Sequence, residues 1–214
     1  MRGVRADRRA EQGRCAADGS GARKARLVSP VRIRAAEPGD AAAIAAIYAP
    51  YVLTGTVSFE FTPPDTRAMR ARMEASDGLY PWIVATNGEG QGVLGYAYAT
   101  KFRERDAYRY VVETSVYVAG AVQGQGVGRL LYETLIRTLR AQGFTQAIGG
   151  IALPNDASIR THEAVGFRRA GVYREVGYKQ GRWIDVGFWQ CELNDSAIPP
   201  DEPRPFKEIG VVRA

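Results

Sequence analysis

A glycine-rich turn carries the strongest chemical signal in the sequence. It reads Gln-x-x-Gly-x-Gly over residues 123–128 and joins a β-prone run at 110–118 to an amphipathic helix predicted at 127–142. Backbone N–H groups at a helix N-terminus attract anions, and glycines let the backbone approach a phosphate without an obstructing Cβ. The pattern predicts a phosphate-binding loop, although a glycine-rich turn that only caps the helix would have the same spacing.

The spacing of the glycines excludes two common phosphate loops. A Walker loop requires Gly-Lys-Ser/Thr, whereas Gly128 is followed by Arg129. A Rossmann fingerprint requires Gly-x-Gly-x-x-Gly, but the sixth position is Arg129 when counted from Gly124 and Leu131 when counted from Gly126. The loop is therefore of another type.

Glu113 is the candidate general base. It is the charged residue of the run 110–118, with Val111 and Val112 before it and Val116 after it. A carboxylate among apolar neighbours is expected to have a raised pKa, which suits a group that accepts a proton near neutral pH. The residues alone also allow Glu113 to be exposed on an edge strand or paired with an arginine.

Other nucleophilic or titratable residues are few. His162, the one histidine in the chain, is either a second proton acceptor, a substrate-side group or a structural residue of its helix. Cys15 and Cys191 have no histidine nearby in the sequence, so a covalent acetyl-cysteine route is not expected. Two cysteines and one histidine also argue against a disulfide framework and a zinc site, and they favour a reducing, cytoplasmic compartment.

The charged segment 101–108 is a candidate acceptor-binding loop. The guanidinium groups of Arg103 and Arg105 match the geometry of a carboxylate or phosphinate, and Tyr108 adds a hydroxyl. On composition alone, a solvated charged turn explains the same residues.

The elements that must position these residues follow from hydrophobic periodicity and from cap and turn residues. Strands are predicted at 31–35, 82–86, 93–100, 110–118 and 147–153, and two more in 169–193 with a turn at 179–181. Helices are predicted from Asp40 to about Tyr51, at 65–75 with Pro64 in its first turn, at 127–142 and at 158–165. Strands with interspersed helices predict an α/β fold with helices on both faces of a sheet.

The helix at 127–142 is the best defined of these elements. Apolar residues at every fourth position from Val127 to Leu139 form one stripe, and Gly143 is placed to end the helix. On the outer face, Glu133 and Arg137 have the spacing of an i,i+4 ion pair.

Composition places the folded domain at 31–193 of the 214 residues. Residues 1–30 hold eight of the 29 basic residues and three of the 23 acidic ones, and they read as a disordered basic extension. The rest of the chain has a net charge of only +1, so no nucleic-acid partner is expected. Residues 194–214 form a Pro-rich tail with an extended backbone, and the apolar runs are too short to span a membrane.

Several motifs in order along the chain resemble one known family. They are the loop at 123–128 and the segments Glu113–Val118, Leu153–Ser158, His162–Phe167 and Asp185–Gln190. Together they are similar to the Gcn5-related N-acetyltransferases (GNAT), in particular the phosphinothricin acetyltransferases, which also acetylate methionine sulfoximine-type amino acids. The similarity extends from about Ile33 to Gln190.

The resemblance implies a GNAT-type mixed, mainly antiparallel central sheet and a reaction. Acetyl-CoA would donate an acetyl group to the α-amine of a small acidic amino acid, such as phosphinothricin or methionine sulfoximine or sulfone. The amine would attack directly in a ternary complex, with Glu113 as base. Tyr173 or Tyr178 is a candidate acid for the leaving thiolate, and the residues alone also allow both to be ordinary strand aromatics. Alternatives are another amine (a polyamine, an aminoglycoside or a protein N-terminus) or a non-catalytic module that binds CoA or nucleic acid.

The resemblance also implies roles for individual residues. Glu113 and His162 would be catalytic, whereas Phe59, Arg103, Arg105 and Tyr108 would bind the acceptor. Coenzyme contacts are implied for Ser115, Val116, Tyr117, Val118, Gln123, Gly124, Gln125, Gly126, Val127, Gly128, Arg129, Asn155 and Ser158. The residues alone also allow Asn155 or Asp156 to be only a helix cap. No metal is expected, no membrane partner is expected, and family members are often homodimers.

Overall fold

A single mixed sheet forms the centre of the protein. The computed structural model describes residues 30–88 and 92–213, so the basic extension expected at 1–30 lies outside the described residues, except for Pro30. The strands are β1 Arg32–Ala35, β2 Trp82–Thr86, β3 Val93–Lys101, β4 Val111–Val118, β5 Gln146–Ala152, β6 Arg168–Lys179 and β7 Arg182–Glu192. The helices are α1 Ala41–Leu53, α2 Thr66–Glu74, α3 Val127–Gln142, α4 Asp156–Ala164 and α5 Phe206–Ile209.

The strand order of the sheet is β1-β2-β3-β4-β5-β7-β6. In the described part of the chain, β4 and β5 are parallel and the other neighbouring strands are antiparallel. The predicted α/β class and the mainly antiparallel sheet are therefore confirmed.

Helices pack on both faces of the sheet. On one face, α1 and α2 cover β2 and β3, with Ile44, Met69 and Tyr96 in the core. On the other face, α3 contributes Leu131 and Leu135 to a larger core. Each fully buried side chain of this size contributes roughly 1.5–3 kcal/mol to folding, so the sheet is held firmly between the two helical layers.

The helix N-termini at Asp40 and Asp65 are built differently. Asp65 caps α2, since its carboxylate accepts a hydrogen bond of 2.7 Å from the Ala68 backbone N–H. Asp40 precedes α1 but its carboxylate is bound by Arg34 at 2.7 and 2.8 Å, so it ties the helix to β1 instead of capping it. Pro64 lies before the Asp65 cap and not within the first turn of α2, because Asp65 itself has an extended backbone.

The stripe predicted on α3 is confirmed, and the predicted ion pair is wrong. The stripe from Val127 to Leu139 is buried, and Gly143 ends the helix with φ of 92°. Glu133 pairs with Arg129 at 2.7 Å, one turn before it, and not with Arg137. The i,i+4 spacing is the same in both directions, so the spacing could not decide between the two arginines.

The C-terminal segment packs along the domain, whereas composition predicted only an extended tail. Phe206 and Val211 pack against the core of α3, and the Gln142 side chain donates to the Arg204 carbonyl at 2.8 Å. The Val212 N–H donates to the Thr138 hydroxyl at 3.1 Å. Most of the segment is neither helix nor strand, and its few apolar residues are enough to dock it. None of the described helices is long and apolar enough to cross a membrane.

A fork in the sheet positions the candidate site. The β4–β5 pairing consists of three residue pairs and ends where Glu113 meets Ile148. Beyond this point β4 continues to Val118, paired only with β3. One edge of β4 therefore faces a gap between two diverging parallel strands, and the glycine-rich loop follows directly at the end of β4.

Candidate active site

Glu113 lies at the fork, half-buried. Its carboxylate Oε1 is 3.6 Å from the position that a Cβ on Gly150 would occupy, and the Phe188 ring is 3.7 Å from the same point. Burial raises the pKa of Glu113, and the positive charge of Arg103 partly opposes this shift. No ion pair between described residues includes Glu113. The apolar surroundings expected from the sequence are therefore present.

The edge of β4 that faces the gap offers backbone groups to a ligand. The Ala119 N–H donates to the Leu94 carbonyl of the β3 side at 2.9 Å. Backbone groups alternate along a strand, so the N–H and C=O groups of Val116 and Val118 face the gap. An amide chain can pair with such an edge as an added strand does.

The glycine-rich loop has the geometry of an anion site. Gly124 and Gly126 adopt φ of 77° and 85°, which residues with a Cβ rarely adopt. A Cβ on Gly128 would lie 3.2 Å from the Val118 side chain, so the loop packs closely on β4. The first backbone bond of α3 runs from the Leu130 N–H to the Gly126 carbonyl, which leaves the N–H groups of the first turn directed out of the helix end.

Tyr51 joins this loop to β4, and no sequence motif identified it. Its hydroxyl donates to the Val118 carbonyl at 2.6 Å and accepts from the Gln123 side-chain amide at 2.9 Å and from the Val118 N–H at 3.3 Å. Its ring packs edge-on against Tyr117, with 5.1 Å between centroids. The hydroxyl thus connects α1, the β4 edge and the first residue of the loop pattern.

The remaining coenzyme candidates divide between the two faces of the sheet. Ser115 and Tyr117 lie on the α1 and α2 side, where Ser115 is opposite Tyr98 in the β3–β4 register and Tyr117 packs among aromatic rings. Val116 and Val118 pack toward α3, in which Val127 is buried.

Three further coenzyme candidates, Gln125, Arg129 and Asn155, form hydrogen bonds to other residues of the protein. Arg129 is exposed and bound to Glu133, and the Gln125 side chain donates to the Ala121 carbonyl at 3.1 Å. Asn155 caps α4, accepting from the Ser158 N–H at 3.1 Å, as its residue type alone suggested.

The sheet separates His162 from Glu113. A Cβ on Gly149 would meet the His162 ring, whereas a Cβ on the next residue, Gly150, would meet Glu113. Neighbouring residues of a strand point to opposite faces. His162 is buried between Tyr132 and Phe167, and its Nδ1 lies 2.8 Å from the Ser158 carbonyl. Burial lowers the pKa of His162, and the neutral, packed ring fits the structural role better than a second proton acceptor.

The acceptor candidates Arg103 and Tyr108 meet at one aromatic ring, in the loop between β3 and β4. Arg103 stacks on the Phe102 ring at 4.3 Å, and Tyr108 meets the same ring edge-on at 5.7 Å. Arg105 directly precedes the single turn Asp106–Tyr108. Arg103 is the member of this group whose charge reaches Glu113.

Phe59 lies in the loop between α1 and α2, and none of the contacts that the structure records for it among residues 30–88 and 92–213 reaches Glu113 or the other acceptor candidates. Its ring packs against Gly177 of β6, where any Cβ would collide with it. The buried Lys179 ammonium holds this loop by donating to the carbonyls of Val52, Ser58 and Glu60 at 2.6, 2.7 and 2.8 Å. Sequence reasoning missed Lys179, because a lysine beside the turn at 179–181 is typical of an exposed residue.

Comparisons with known proteins agree with this geometry. The chain matches the family model of the acetyltransferase (GNAT) domain over residues 33–187. It is 42% identical to phosphinothricin N-acetyltransferase of Streptomyces viridochromogenes over 181 residues, which cover 84% of this chain and 97% of that protein. It is 40% identical to L-methionine sulfoximine/L-methionine sulfone acetyltransferase of Salmonella typhimurium over 168 residues, covering 78% and 97%.

A solved structure shows the same architecture. The phosphinothricin acetyltransferase from Sinorhizobium meliloti, in complex with acetyl-CoA, superposes with a TM-score of 0.75 at 36% sequence identity, covering 80% of this chain and 92% of that one. This chain combines a strand fork, an open β4 edge and a glycine-rich loop at a helix N-terminus. With the family model spanning most of the described domain, the chain belongs to the GNAT family and is an acetyltransferase.

Proposed function

We propose that the protein transfers the acetyl group of acetyl-CoA to the α-amine of a small amino acid, of which phosphinothricin and methionine sulfoximine or sulfone are the test cases. The observation that carries this proposal is the position of Glu113: a half-buried carboxylate with a raised pKa at the fork between β4 and β5. The named activities of the two relatives support the choice of acceptor.

The residues at the fork suit a bound acetyl-CoA. The φ angles of Gly124 and Gly126 and the N-terminus of α3 form a cradle for its diphosphate. The Val116 C=O on the β4 edge offers a partner to its amide-containing arm, because the Tyr51 hydroxyl already binds both backbone groups of Val118. When bound there, acetyl-CoA supplies a thioester whose carbonyl carbon accepts the amine.

Glu113 acts as the general base. An ammonium group has no lone pair, so the acceptor amine must lose a proton before it attacks, directly or through a water molecule. Because burial raises its pKa, the Glu113 carboxylate binds that proton more readily than an exposed glutamate would. The N–C bond then forms, and the C–S bond breaks as the thiolate leaves.

A backbone N–H stabilises the negative charge that develops on the carbonyl oxygen, and a tyrosine hydroxyl protonates the leaving thiolate. The Val118 N–H is engaged by Tyr51, so the Val116 N–H is the donor facing the gap that we assign to the carbonyl oxygen. Tyr173 is the better placed of the two tyrosines for protonating the thiolate. Its ring lies 4.8 Å from Phe188, which also neighbours Glu113, whereas Tyr178 packs on Trp183.

A thiol-release assay tests the proposed function. The purified protein is incubated with acetyl-CoA and each of a panel of amines: phosphinothricin, methionine sulfone, a polyamine, an aminoglycoside and a peptide with a free N-terminus. We expect the amino acids to give the highest kcat/KM. Release with a polyamine, aminoglycoside or peptide but not with the amino acids would contradict the proposal. Light scattering on the same sample tests the homodimer, which remains a prediction.

A further inference from the structure

A bulge interrupts the pairing of β6 with β7. Tyr173 is opposite Val186, and the pairing resumes at Gly177. The three residues 174–176 therefore lie opposite Asp185 alone, where a regular ladder would place one residue. Bulges change which side chains a strand presents to a site, and they are over-represented next to active sites.

The Asp185 side chain holds this bulge together. Its carboxylate Oδ1 accepts a hydrogen bond of 2.9 Å from the Glu175 backbone N–H. Glu175 has a φ of 51°, in a region that residues with a Cβ rarely adopt, so the surrounding structure must hold it there. The backbone carbonyl of Asp185 accepts from the Leu153 N–H at 2.9 Å, which fixes the main chain from which the carboxylate acts.

The ion pair of Asp185 with Arg174 is the weaker of its two contacts. The guanidinium is 3.7 Å from the carboxylate, and the Arg174 side chain is 82% exposed. Exposed pairs of this kind contribute little to stability. The hydrogen bond from the Glu175 N–H is therefore the contact that maintains the bulge.

Tyr173 lies on the face of the sheet that carries Glu113. A Cβ on Gly150 would have the Glu113 carboxylate and the Val186 side chain within 4.0 Å, so these two side chains share a face. Tyr173 is directly opposite Val186 and leaves the sheet on that face too. Its ring packs 4.8 Å from Phe188, which also neighbours Glu113.

The bulge decides that this position belongs to Tyr173. The turn between β6 and β7 sets the pairing up to Gly177, and regular pairing continued from there would place Glu175 opposite Val186. A shift of two residues preserves the alternation of faces, so the Glu175 carboxylate would then lie on the Glu113 face. Tyr173 would move two residues further along the strand.

We propose that Asp185 is a positioning residue for the acetyl transfer: by binding the Glu175 N–H it fixes the bulge that places Tyr173 beside the reacting groups. The assignment rests on the proposed function. As the C–S bond breaks, the Tyr173 hydroxyl gives its proton to the thiolate, and the phenolate regains one from solvent. Neighbouring residues of a strand point to opposite faces, so Asp185 does not itself face Glu113 and acts only through Tyr173.

A double-mutant cycle in the thiol-release assay tests the assignment. Asp185→Ala and Tyr173→Phe should each lower kcat at least about tenfold, the low end of what a general acid contributes, while acetyl-CoA binding in calorimetry stays within about twofold. In the Tyr173→Phe protein, adding Asp185→Ala should lower kcat no further, because the two residues act as one unit.

Two single variants separate the hydrogen bond from the ion pair. Asp185→Asn keeps an oxygen that accepts from the Glu175 N–H, and its kcat should stay within about twofold of the wild type. Arg174→Ala is the matched control, since it removes only the exposed ion pair and should leave kcat unchanged.

A deletion removes the need for the bulge. Without residues 175–176, the one remaining bulge residue pairs with Asp185 in a regular ladder, and Tyr173 stays opposite Val186. Adding Asp185→Ala to this deletion should then leave kcat unchanged. Thermal melting shows whether the deletion variant is folded, and if it is not, the double-mutant cycle with Tyr173→Phe decides.

NMR gives a readout that does not depend on turnover. A nuclear Overhauser contact between the rings of Tyr173 and Phe188 should be present in the wild type and in Asp185→Asn. It should be lost in Asp185→Ala. A contact that survives in Asp185→Ala would overturn the inference.

The kinetic outcomes separate this inference from the proposed function. If Asp185→Ala lowers kcat as much in the Tyr173→Phe protein as in the wild type, Asp185 is only structural and the inference fails. An unchanged kcat in either single variant would also overturn it, and acetylation of amino acids by the wild type would still support the proposed function. If the wild type acetylates no amine, the proposed function fails, and the ring contact alone shows whether Asp185 positions Tyr173.

Discussion

The Tyr51 hydroxyl donates a 2.6 Å hydrogen bond to the backbone carbonyl of Val118, across 67 residues of sequence. The same hydroxyl accepts from the Gln123 side chain. One oxygen atom therefore fixes the end of the open β4 edge relative to the start of the glycine-rich loop. In the function proposed above, acetyl-CoA spans both elements, so we expect their spacing to determine how well the coenzyme is bound.

Removing this hydroxyl should weaken coenzyme binding selectively. Tyr51→Phe keeps the ring against Tyr117 and deletes the bonds to Val118 and Gln123. Losing hydrogen bonds of about 1 kcal/mol each predicts a KM for acetyl-CoA that is raised roughly three- to tenfold. The KM for the amine and kcat at saturating acetyl-CoA should not change.

A tyrosine far from the fork is the control for this variant. Tyr110→Phe removes an exposed hydroxyl that bonds Glu202, and it should leave every kinetic constant unchanged. An unaltered or lowered KM for acetyl-CoA in Tyr51→Phe would show that the hydroxyl does not organise the loop.

Arg103 should affect both acceptor binding and the titration of Glu113. Arg103→Ala together with Arg105→Ala should raise the KM for phosphinothricin at least about tenfold and that for acetyl-CoA by less than twofold, since lost charge-assisted bonds are worth about 1.5–3 kcal/mol. If the KM values for phosphinothricin and acetyl-CoA rise equally, these arginines do not bind the acceptor.

The pH profile distinguishes the two arginines. The Arg103 charge lowers the pKa of Glu113, so Arg103→Ala should raise that pKa further. A base works only when deprotonated, so the rising limb of kcat/KM should move to higher pH in Arg103→Ala and stay in place in Arg105→Ala. If the rising limb of kcat/KM lies at the same pH in both variants, the Arg103 charge does not influence the pKa of the base.

Lys179 should stabilise the fold through the loop that carries Phe59. Lys179→Met leaves three buried carbonyl groups without their donor, and we expect the free energy of unfolding in urea to fall by roughly 2–4 kcal/mol. Lys101→Met is the matched control, because Lys101 pairs with an exposed Glu104 and such pairs contribute at most about 1 kcal/mol. If the two variants lose similar amounts of unfolding free energy, the three Lys179 hydrogen bonds do not stabilise this loop.

The sequence predicted the elements whose signals are local. Helix α3 was bounded correctly, since its apolar stripe and Gly143 act within a few turns of the chain. Glu113 was found for the same reason, because a single charge in an apolar strand is visible without the fold. The GNAT resemblance then implied its role as base, and the structure shows that it lies at the fork.

Relationships between distant residues could not be predicted. Tyr51 is one aromatic residue of an Ala-rich helix, and only the packing of α1 on the sheet brings it to Val118. His162 was a candidate by residue type, and its position behind Gly149 on the far face of the sheet depends on strand alternation and on α4 together. The docking of Phe206 depends on a groove beside α3 that composition does not reveal.

Glu113 should reduce stability at neutral pH while it serves catalysis. Its pKa in the folded protein is raised above the ordinary value of 4.5, so the stability linked to its protonated form is present below pH 4.5 and is lost as the pH rises through the folded pKa. Glu113→Gln should therefore be at least as stable as the wild type in thermal melting at pH 7. A clearly lowered Tm would contradict the burial-driven shift.

The turnover of this same variant tests the account most directly. Glu113→Gln should bind acetyl-CoA in calorimetry as the wild type does, while its kcat at pH 7 falls at least about a hundredfold, the range expected for loss of a general base. Glu192→Gln, an exposed glutamate at the end of β7, should retain full activity. If Glu113→Gln turns over within twofold of the wild type while acetyl-CoA binding is intact, Glu113 is not the base.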